Sequence, residues 1–358
     1  METRIGIHGI GIYLPETVRK NDWWPRTTVE RWQQGRASGL QSGVSRPEVC
    51  DGAAAVVEAM SAFADDPFKG ALERRIAPDD MWPSELEIRA AREALARAQV
   101  GPSDIEVCLA HSVTPDFINT PNACRIHHAL GLPERCLSMS VDGMCNAFQM
   151  QLTLAQRLLQ SRPGKFALLV QSSTLPRVTS PEDPASAWFG EGAAAVVVGP
   201  VAPDVGILAT AHFTDGSKFD GLVFGVEGAR WHDEGKIQLY MCNRKTAQKV
   251  ILDVADHAKQ AIEVVLSECR HRADEVAFYA AHQGTAWLRE ATQRHAGLCN
   301  ARFVDTFSRF GSLSAANIPL ILSIAERETM LTRGDLVVCF SGGSGETWSA
   351  TALRWGTA

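Results

Sequence analysis

The spacing of hydrophobic residues changes abruptly at one point near the middle of the chain. Apolar and polar residues alternate over residues 137–142, which is typical of a strand. Over residues 147–159 the apolar positions recur three and four residues apart, which is typical of a helix. Asp142 and Gly143 separate the two patterns. The pattern therefore predicts that Cys145 lies at a strand-to-helix turn, at or near the helix N-terminus.

The same two periods recur along the rest of the chain. They predict strands at residues 4–14, 105–110, 166–170, 193–198, 205–212, 276–281, 303–306, 336–340 and 347–355. They predict helices at residues 28–36, 53–63, 84–100, 123–130, 246–270, 286–295 and 314–332. Ser84 and Glu87 have the spacing of a capping box at the start of one helix. Alternating strands and helices favour an α/β fold with mostly parallel, buried sheets.

From about residue 200 onward the chain repeats the pattern of the part before it. The corresponding segments are residues 165–173 and 335–343, residues 190–198 and 348–355, and residues 141–145 and 310–314. We infer a weak internal duplication with halves at residues 1–200 and 201–358. Functional sites in such folds gather at the carboxyl ends of strands, which is where Cys145, His282 and the loop 342–345 are predicted to lie.

Composition and charge narrow the function classes. The chain has 358 residues, of which 45% are hydrophobic and 21% charged, as expected for a folded soluble protein. A net charge of -6 gives no argument for binding nucleic acid or an anionic membrane surface. We find no apolar run of membrane-spanning length and no signal peptide, so we expect a cytoplasmic protein. Nine cysteines without paired CxxC spacing favour reduced thiols over disulfides or a metal site.

Three predicted strand ends carry groups that could perform acyl transfer together. A thiol at a helix N-terminus has a lowered pKa and is a good nucleophile, although a buried structural cysteine is the simpler interpretation of Cys145. His282 could be a general base or only a satisfied polar group at a strand end. The loop 341–345 could direct backbone N–H groups at an anion or be only a tight hairpin. Together they supply a nucleophile, a base and an oxyanion donor.

Short motifs in the same order along almost the whole chain resemble the thiolase-fold β-ketoacyl-acyl-carrier-protein synthase III family. Residues 7–21 resemble GxGxYLPxxxxxN, residues 30–39 resemble DEWIxxRTG, and residues 70–77 resemble GIxxRRxA. Further along the chain, residues 142–148 resemble DxxxCxGF and residues 189–193 resemble FGDGA. Near the end, residues 282–285 resemble HQAN and residues 342–348 resemble GGGxTWG. The second and third motifs normally adjoin, but here an insertion of about 30 residues, at about 40–69, separates them. The insertion could cover a site or be a loosely held loop containing a helix.

The resemblance implies a fold, a site and partners. The fold would be two duplicated βαβαβαββ halves packed in five αβαβα layers. Cys145 would accept the acyl group, His282 would relay protons, and the N–H groups of Cys145 and Gly345 would form the oxyanion hole. The positions that match the CoA or phosphopantetheine site are Trp32, Arg36 and Arg177. The resemblance further implies a homodimer, an acyl-CoA or acyl-carrier-protein donor and no bound metal or permanent cofactor.

The chain departs from this family at residues 311–317, where GSLSAAN stands in place of GNTSAAS. In the family, the asparagine works with the histidine to stabilise the enolate formed by decarboxylation. Ser312 takes its place, and a hydroxyl on a shorter arm cannot reproduce the reach of the amide. Asn317 is expected to face elsewhere. Decarboxylative condensation should therefore be weakened by on the order of a hundredfold.

Three functions remain open at this point. The first is an acyltransferase or atypical condensing enzyme that passes the acyl group from Cys145 to a small non-malonyl acceptor, which could be an alcohol, an amine or an activated carbon. The resemblance places such relatives in secondary-metabolite or polyketide biosynthesis. The second is a decarboxylating synthase in fatty acid or polyketide initiation that tolerates Ser312. The third is a non-catalytic partner subunit of a heterodimeric ketosynthase, against which the intact Cys145 and His282 argue.

Overall fold

The computed structural model describes residues 4–41 and 51–356, and within them the chain forms thirteen strands and nine α-helices. The strands are β1 (Ile5–Tyr13), β2 (Thr17–Lys20), β3 (Glu73–Ile76), β4 (Ile105–Ser112), β5 (Leu137–Ser140), β6 (Phe166–Thr174), β7 (Glu191–Pro200), β8 (Gly206–Thr214), β9 (Val223–Val226), β10 (Ile237–Tyr240), β11 (Phe278–Ala281), β12 (Leu336–Gly343) and β13 (Thr347–Arg354). The helices are α1 (Arg26–Gln41), α2 (Asp51–Ser61), α3 (Pro83–Ala98), α4 (Asn122–Leu130), α5 (Ala147–Leu159), α6 (Arg244–Cys269), α7 (Leu288–His295), α8 (Phe307–Phe310) and α9 (Asn317–Arg327).

Two sheets with matching strand orders form the frame of the molecule. The first has the order β1-β7-β6-β4-β5, and the second has the order β8-β13-β12-β11. In each sheet the first two pairings are antiparallel and the next is parallel. The two halves thus share one topology, as the sequence duplication predicts.

The prediction of mostly parallel sheets is wrong, because half the pairings of the first sheet and most of the second are antiparallel. β12 and β13 are joined by a tight turn, and such a connection can join only antiparallel strands. The strand predicted at 303–306 is also missing. Arg302 makes only an isolated parallel bridge to Phe278, and the Val304 carbonyl accepts a hydrogen bond from the Gln283 side chain (2.7 Å).

Apolar clusters on both faces of each sheet produce five layers. α5 and α9 lie between the two sheets, where residues such as Phe148, Leu152 and Ile321 are fully buried. α3 and α4 cover the outer face of the first sheet, and α6 covers that of the second. A sheet that is buried on both faces needs helices on both sides, and this arrangement gives the predicted αβαβα order.

The described part of the predicted insertion is packed onto the second half. Residues 42–50 lie outside the described residues. α2 follows them, and its residues Val56 and Ala59 form a buried cluster with Ala255, Trp287 and Ala291 of the second half. α1 begins and ends beyond the helix predicted at 28–36. A buried apolar contact of this kind fixes α2 against α6 and α7.

The predicted capping box of α3 is wrong by two residues, because the cap is formed by Trp82 and Glu85. The helix begins at Pro83, which suits a first helical position, and the Glu85 carboxylate accepts a hydrogen bond from the Trp82 N–H (2.8 Å). Ser84 donates instead to Asp116 (2.6 Å). Glu87 is therefore not part of the cap, and it points into the protein, where it is fully buried.

Glu87 is a buried carboxyl with two hydrogen-bond partners. It accepts bonds from Ser172 Oγ (2.6 Å) and from Asn122 Nδ2 (2.9 Å). Burial disfavours the charged form and outweighs these two bonds, so the pKa of Glu87 is raised to about 8. The side chain is therefore neutral in the folded protein at neutral pH.

We predict that Glu87 makes the protein less stable as the pH rises from 5 to 8. In this window the folded state keeps a proton that the unfolded state has lost, so the free energy of unfolding falls by up to about 1.4 kcal/mol per pH unit. Urea unfolding at several pH values should show this slope in wild type and its loss in Glu87→Gln. Glu85→Gln, an exposed change on the same helix, should leave the slope in place. An equal slope in wild type and Glu87→Gln would contradict the prediction.

Candidate active site

Cys145 lies in a short turn between β5 and α5, as the sequence pattern predicts. The turn is a single 3-10 segment, Met144–Asn146, that leads directly into the first turn of α5. Met144 has a φ of 50°, a left-handed conformation that is unfavourable for a residue with a side chain. The thiol is thereby placed at the positive end of the helix, and strained backbone of this kind clusters at functional sites.

His282 follows the end of β11 and faces the same pocket as Cys145. Its backbone N–H donates to the Phe340 carbonyl (2.8 Å), which ties it to β12, and its side chain is buried. A Cβ at Gly284 would lie 2.9 Å from Nε2 of His282, so the absence of a side chain there leaves room for the imidazole. Nδ1 of His282 has no hydrogen-bond partner in the described part of the chain.

The surroundings of Cys145 favour its thiolate. Burial opposes ionisation and raises the pKa of the thiol. The nearby His282, through its charge and a hydrogen bond, and the Ser314 hydroxyl act in the opposite direction and prevail. The pKa of Cys145 is therefore lowered from its usual value. Ser314 Oγ lies 3.4 Å from Sγ of Cys145 and was not among the residues predicted from the sequence.

The turn between β12 and β13 lies directly against the nucleophile turn. A Cβ at Gly343 would collide with the carbonyl oxygen of Gly143, so only glycine allows this approach. Gly345 follows in a left-handed conformation (φ 85°) and lines the pocket together with Cys145. The backbone of the second half is thus brought to the thiol of the first half, where N–H groups could bind an oxyanion.

A buried polar network joins the same two turns. Asn146 Nδ2 donates to Ser349 Oγ (2.9 Å), and Asn146 Oδ1 accepts from Ser341 Oγ (2.8 Å). Gln149 Nε2 donates to Ser341 Oγ (3.1 Å) and to the Ser349 carbonyl (2.7 Å). Buried groups that satisfy one another in this way hold a single geometry. The residues after the nucleophile are therefore fixed to β12 and β13.

Ser312, which stands in place of the family asparagine, is buried next to Phe189, a residue of the pocket wall with which it forms an isolated parallel bridge. It is 2% exposed, and its Oγ accepts a hydrogen bond from the Ser314 N–H (3.4 Å). Its own N–H donates to the Trp188 carbonyl (2.7 Å). Asn317 faces this loop, where its side chain accepts a bond from the Leu313 N–H (3.1 Å). In the described residues, neither side chain supplies an amide donor to the pocket.

Two of the three residues predicted to hold CoA have internal partners instead. Trp32 is 5% exposed, packs against Trp24, and donates its indole N–H to the Glu182 carbonyl (2.7 Å). Arg177 pairs with the buried Glu191 (3.1 Å), and its terminal nitrogens donate to backbone carbonyls. These contacts give both residues packing and pairing roles, and their contact with CoA stays a prediction. Arg36 lies in α1, and its side chain is outside the described part.

The pocket that contains Cys145 encloses about 290 Å³ and has a largely apolar wall. One face of α6 contributes Ala247, Val250, Ile251, Val254 and His257. The segment between β8 and α6 contains the hairpin of β9 and β10, and Leu222, Leu239 and Met241 from this segment also line the pocket. A pocket of this size and lining can hold a small apolar ligand such as an acyl chain.

Sequence reasoning missed three charged or titratable residues in this wall: Lys218, His257 and Glu346. One signal was available for His257, because it falls on the helical face that also carries Ala247, Val250 and Val254. A histidine on the apolar face of a helix indicates a titratable side chain in an otherwise buried, apolar surface. Nothing in the sequence connects the three segments that carry these residues.

The described residues hold no cluster of three histidine, cysteine or acidic side chains arranged to bind a metal ion. Eight cysteines lie in these residues, and each is a free thiol. None of the helices within residues 4–41 and 51–356 is long and apolar enough to cross a membrane.

Two family models match the chain. The model of 3-oxoacyl-[acyl-carrier-protein (ACP)] synthase III matches residues 139–216, which include Cys145. The model of the C-terminal part of 3-oxoacyl-[acyl-carrier-protein (ACP)] synthase III matches residues 266–355, which include His282 and Gly345. The two matched segments are thus those that meet at the pocket.

Individual proteins are similar over most of their length. β-Ketoacyl-[acyl-carrier-protein] synthase III of Erythrobacter litoralis is 31% identical over 290 residues, or 80% of this chain and 88% of that protein. The crystal structure of 3-oxoacyl-(acyl carrier protein) synthase III, FabH, from Pseudomonas aeruginosa PAO1 has a TM-score of 0.77 at 26% identity, with 98% of each chain covered. A cysteine-to-serine variant of Xanthomonas campestris OleA, crystallised with lauric acid and lauroyl-CoA, has a TM-score of 0.77 at 18% identity and covers 99% of this chain and 100% of its own. The thiolase fold expected from the motifs is confirmed by these structures.

We predict that His282 controls the reactivity of the Cys145 thiol. In His282→Ala burial becomes the main influence and raises the pKa, so alkylation of Cys145 by iodoacetamide at pH 7 should slow by about tenfold or more. Ser314→Ala should slow it less. Peptide mass spectrometry separates Cys145 from the exposed Cys299, which serves as the internal control. Equal rates of Cys145 alkylation in wild type and His282→Ala would show that His282 does not govern the reactivity of the thiol.

Proposed function

Because the chain belongs to the β-ketoacyl-[acyl-carrier-protein] synthase III family, we propose that it is an acyltransferase that forms an acyl-enzyme on Cys145. The donor is an acyl thioester of CoA or of acyl-carrier protein, and the acceptor is a small molecule other than malonyl thioester. The observation that carries the proposal is the thiol with a lowered pKa beside His282 in an apolar pocket. The reaction would belong to secondary-metabolite or polyketide biosynthesis.

Acyl loading follows from the groups that meet in the pocket. His282 accepts the Cys145 proton, and the thiolate attacks the thioester carbonyl carbon. The N–H groups of Cys145 and Gly345 stabilise the oxyanion of the tetrahedral intermediate. The C–S bond to the donor breaks, and His282 returns its proton to the departing thiolate. The apolar wall of the pocket accommodates the acyl chain and excludes water.

The surroundings of Ser312 support a non-malonyl acceptor. Decarboxylation of malonyl thioester produces an enolate, which needs two donors for its stabilisation. Ser312 is buried with its hydroxyl engaged by the Ser314 N–H, so His282 is left without an amide partner among the described residues. Acyl loading does not use that partner and is unaffected.

A decarboxylating β-ketoacyl-[acyl-carrier-protein] synthase III is the second candidate. It is favoured by the names of the relatives, which are synthases of this type at up to 31% identity. It requires His282 alone to stabilise the enolate. A non-catalytic partner subunit is disfavoured, because the nucleophile, the base and the turn that carries Gly345 are all present in one pocket.

The exposed edge of the first sheet supports a homodimer. β5 ends that sheet, and Leu137 and Met139 on it are 47% and 39% exposed. An exposed edge strand with large apolar side chains is a template for pairing with another strand. A second copy of this chain, with β5 beside β5, would cover both side chains.

We predict that incubation with an acyl-CoA adds one acyl group to the protein. Intact-mass spectrometry should show the adduct in wild type, none in Cys145→Ala, and an adduct that forms about a hundredfold more slowly in His282→Ala, because the general base is lost. Acyl-carrier-protein thioesters in parallel samples identify the preferred donor. An unmodified wild type, or an adduct that persists in Cys145→Ala, contradicts the acyl-enzyme.

We also predict that release of CO2 from malonyl thioester is slow relative to acyl loading, by on the order of a hundredfold, because an enolate donor is missing. Ser312→Asn should raise CO2 release and leave loading within about twofold. The measurement is capture of labelled CO2, and Ser312→Ala is the matched control that adds no donor. Rapid, His282-dependent release by wild type would instead establish the second candidate.

A further inference from the structure

The buried Lys218 and Glu346 and the partly buried His257 form a polar group in the largely apolar wall of the catalytic pocket. Lys218 and Glu346 are 7% and 4% exposed, and the His257 side chain is 15% exposed. We call these three residues the pocket triad. Burying charges is unfavourable unless they are paired, and replacing them by apolar residues is often neutral or stabilising. Their presence beside the nucleophile therefore indicates a function.

His257 is held in one orientation with one nitrogen toward a carboxylate. Its Nδ1 lies 3.0 Å from Oε1 of Glu346. Its ring stacks on Trp348, with the centroids 3.9 Å apart and the planes 9° apart. The carboxylate favours the tautomer with its proton on Nδ1, which leaves the lone pair on Nε2.

Glu346 is itself fixed from several sides. Lys218 Nζ lies 3.7 Å from Oε1 of Glu346 and 2.9 Å from Asp253. Burial opposes the charge of Lys218, but the hydrogen bond to Asp253 and the nearby Glu346 prevail and raise its pKa, so it stays protonated. The Glu346 carbonyl accepts a bond from the Asp215 N–H (2.9 Å). These contacts offset a left-handed backbone (φ 55°) that is unfavourable for glutamate.

Glu346 and His257 are arranged like a carboxylate that orients a catalytic base. In hydrolases and acyltransferases of many folds, a carboxylate holds one imidazole nitrogen, and the other nitrogen takes the proton of the nucleophile. Glu346 and His257 have this relation, in the same pocket as Cys145 and one residue from Gly345. His282 differs, since its Nδ1 has no partner in the described part and it interacts with the Cys145 thiol.

We propose that His257, oriented by Glu346, is the base for the second half-reaction and that the acceptor is a protic nucleophile, an alcohol or an amine. This deepens the proposed function and rests on the acyl-enzyme at Cys145. The acceptor oxygen or nitrogen attacks the thioester carbon, and its proton passes to Nε2 of His257. The C–S bond breaks, and Cys145 leaves as the thiolate beside His282. The product is an ester or amide, and the proton on His257 passes through solvent to the thiolate.

The chemistry of the acceptor explains why a second base would be present. Decarboxylation creates a carbon nucleophile without removing a proton, so a malonyl acceptor gains nothing from His257. An alcohol or amine must lose a proton as the bond to carbon forms, and general base catalysis of this step contributes about 10²–10⁴-fold.

The test separates loading from transfer. Wild type, His257→Phe and Glu346→Gln are loaded with acyl-CoA, freed of excess donor, and followed by intact mass as the adduct disappears in water, in 1-butanol or in butylamine. We expect His257→Phe, which keeps an aromatic ring against Trp348, to slow the disappearance of the adduct in butanol or butylamine by about a hundredfold more than it slows loading. Glu346→Gln should likewise slow this disappearance more than it slows loading.

His295→Phe is the matched control, because His295 also pairs with an acidic residue of α6, Asp256 (2.7 Å), but does not line the pocket. It should change neither rate. A wild-type chase rate in His257→Phe, or equal losses of loading and chase in both triad variants, would overturn the proposal. Failure of wild type to load any acyl group would instead contradict the acyl-enzyme itself, so the two failures are distinguishable.

Discussion

The close contact between the Gly143 carbonyl and Gly343 is the constraint on which the rest of the site depends. It allows a turn of the first half and a turn of the second half to approach without a side chain between them. The hydrogen bonds of Asn146 to Ser341 and Ser349 then hold this approach. Cys145 comes from the first half and His282 and Gly345 from the second, and the packing of the two sheets around α5 and α9 places them together.

The pocket combines two environments with different chemical uses. Its apolar wall suits an acyl chain, and its buried carboxylate, ammonium and imidazole suit a second, polar reactant. Burial makes each charge dependent on its partner, since a lone charge at the same depth would be neutralised. Lys218 is therefore the cationic partner of the Glu346 carboxylate that lies beside His257.

The sequence correctly predicts the parts of the site that depend on residues close together in the chain. The change of hydrophobic period places Cys145 before α5, and strand ends place His282 and Gly345 at one edge. The sheets are less parallel than the alternation of strands and helices predicts, because the short connection between β12 and β13 requires an antiparallel pair. The motif around Trp32 does not reveal that its side chain is buried against Trp24 and bonded to the Glu182 carbonyl, 150 residues away. The pocket triad could not be predicted, since α6, the turn after β12 and the segment after β8 meet only in the fold.

The glycine contact also limits how the two duplicated halves can diverge. Each half of a duplicated protein is expected to accumulate substitutions independently where it packs only against itself. At Gly143 and Gly343 this independence is lost, because any side chain gained at Gly343 displaces the backbone that carries Cys145 in the other half. A substitution at one of these turns should be tolerated only with a compensating change in the other, so the two halves evolve there as a single unit.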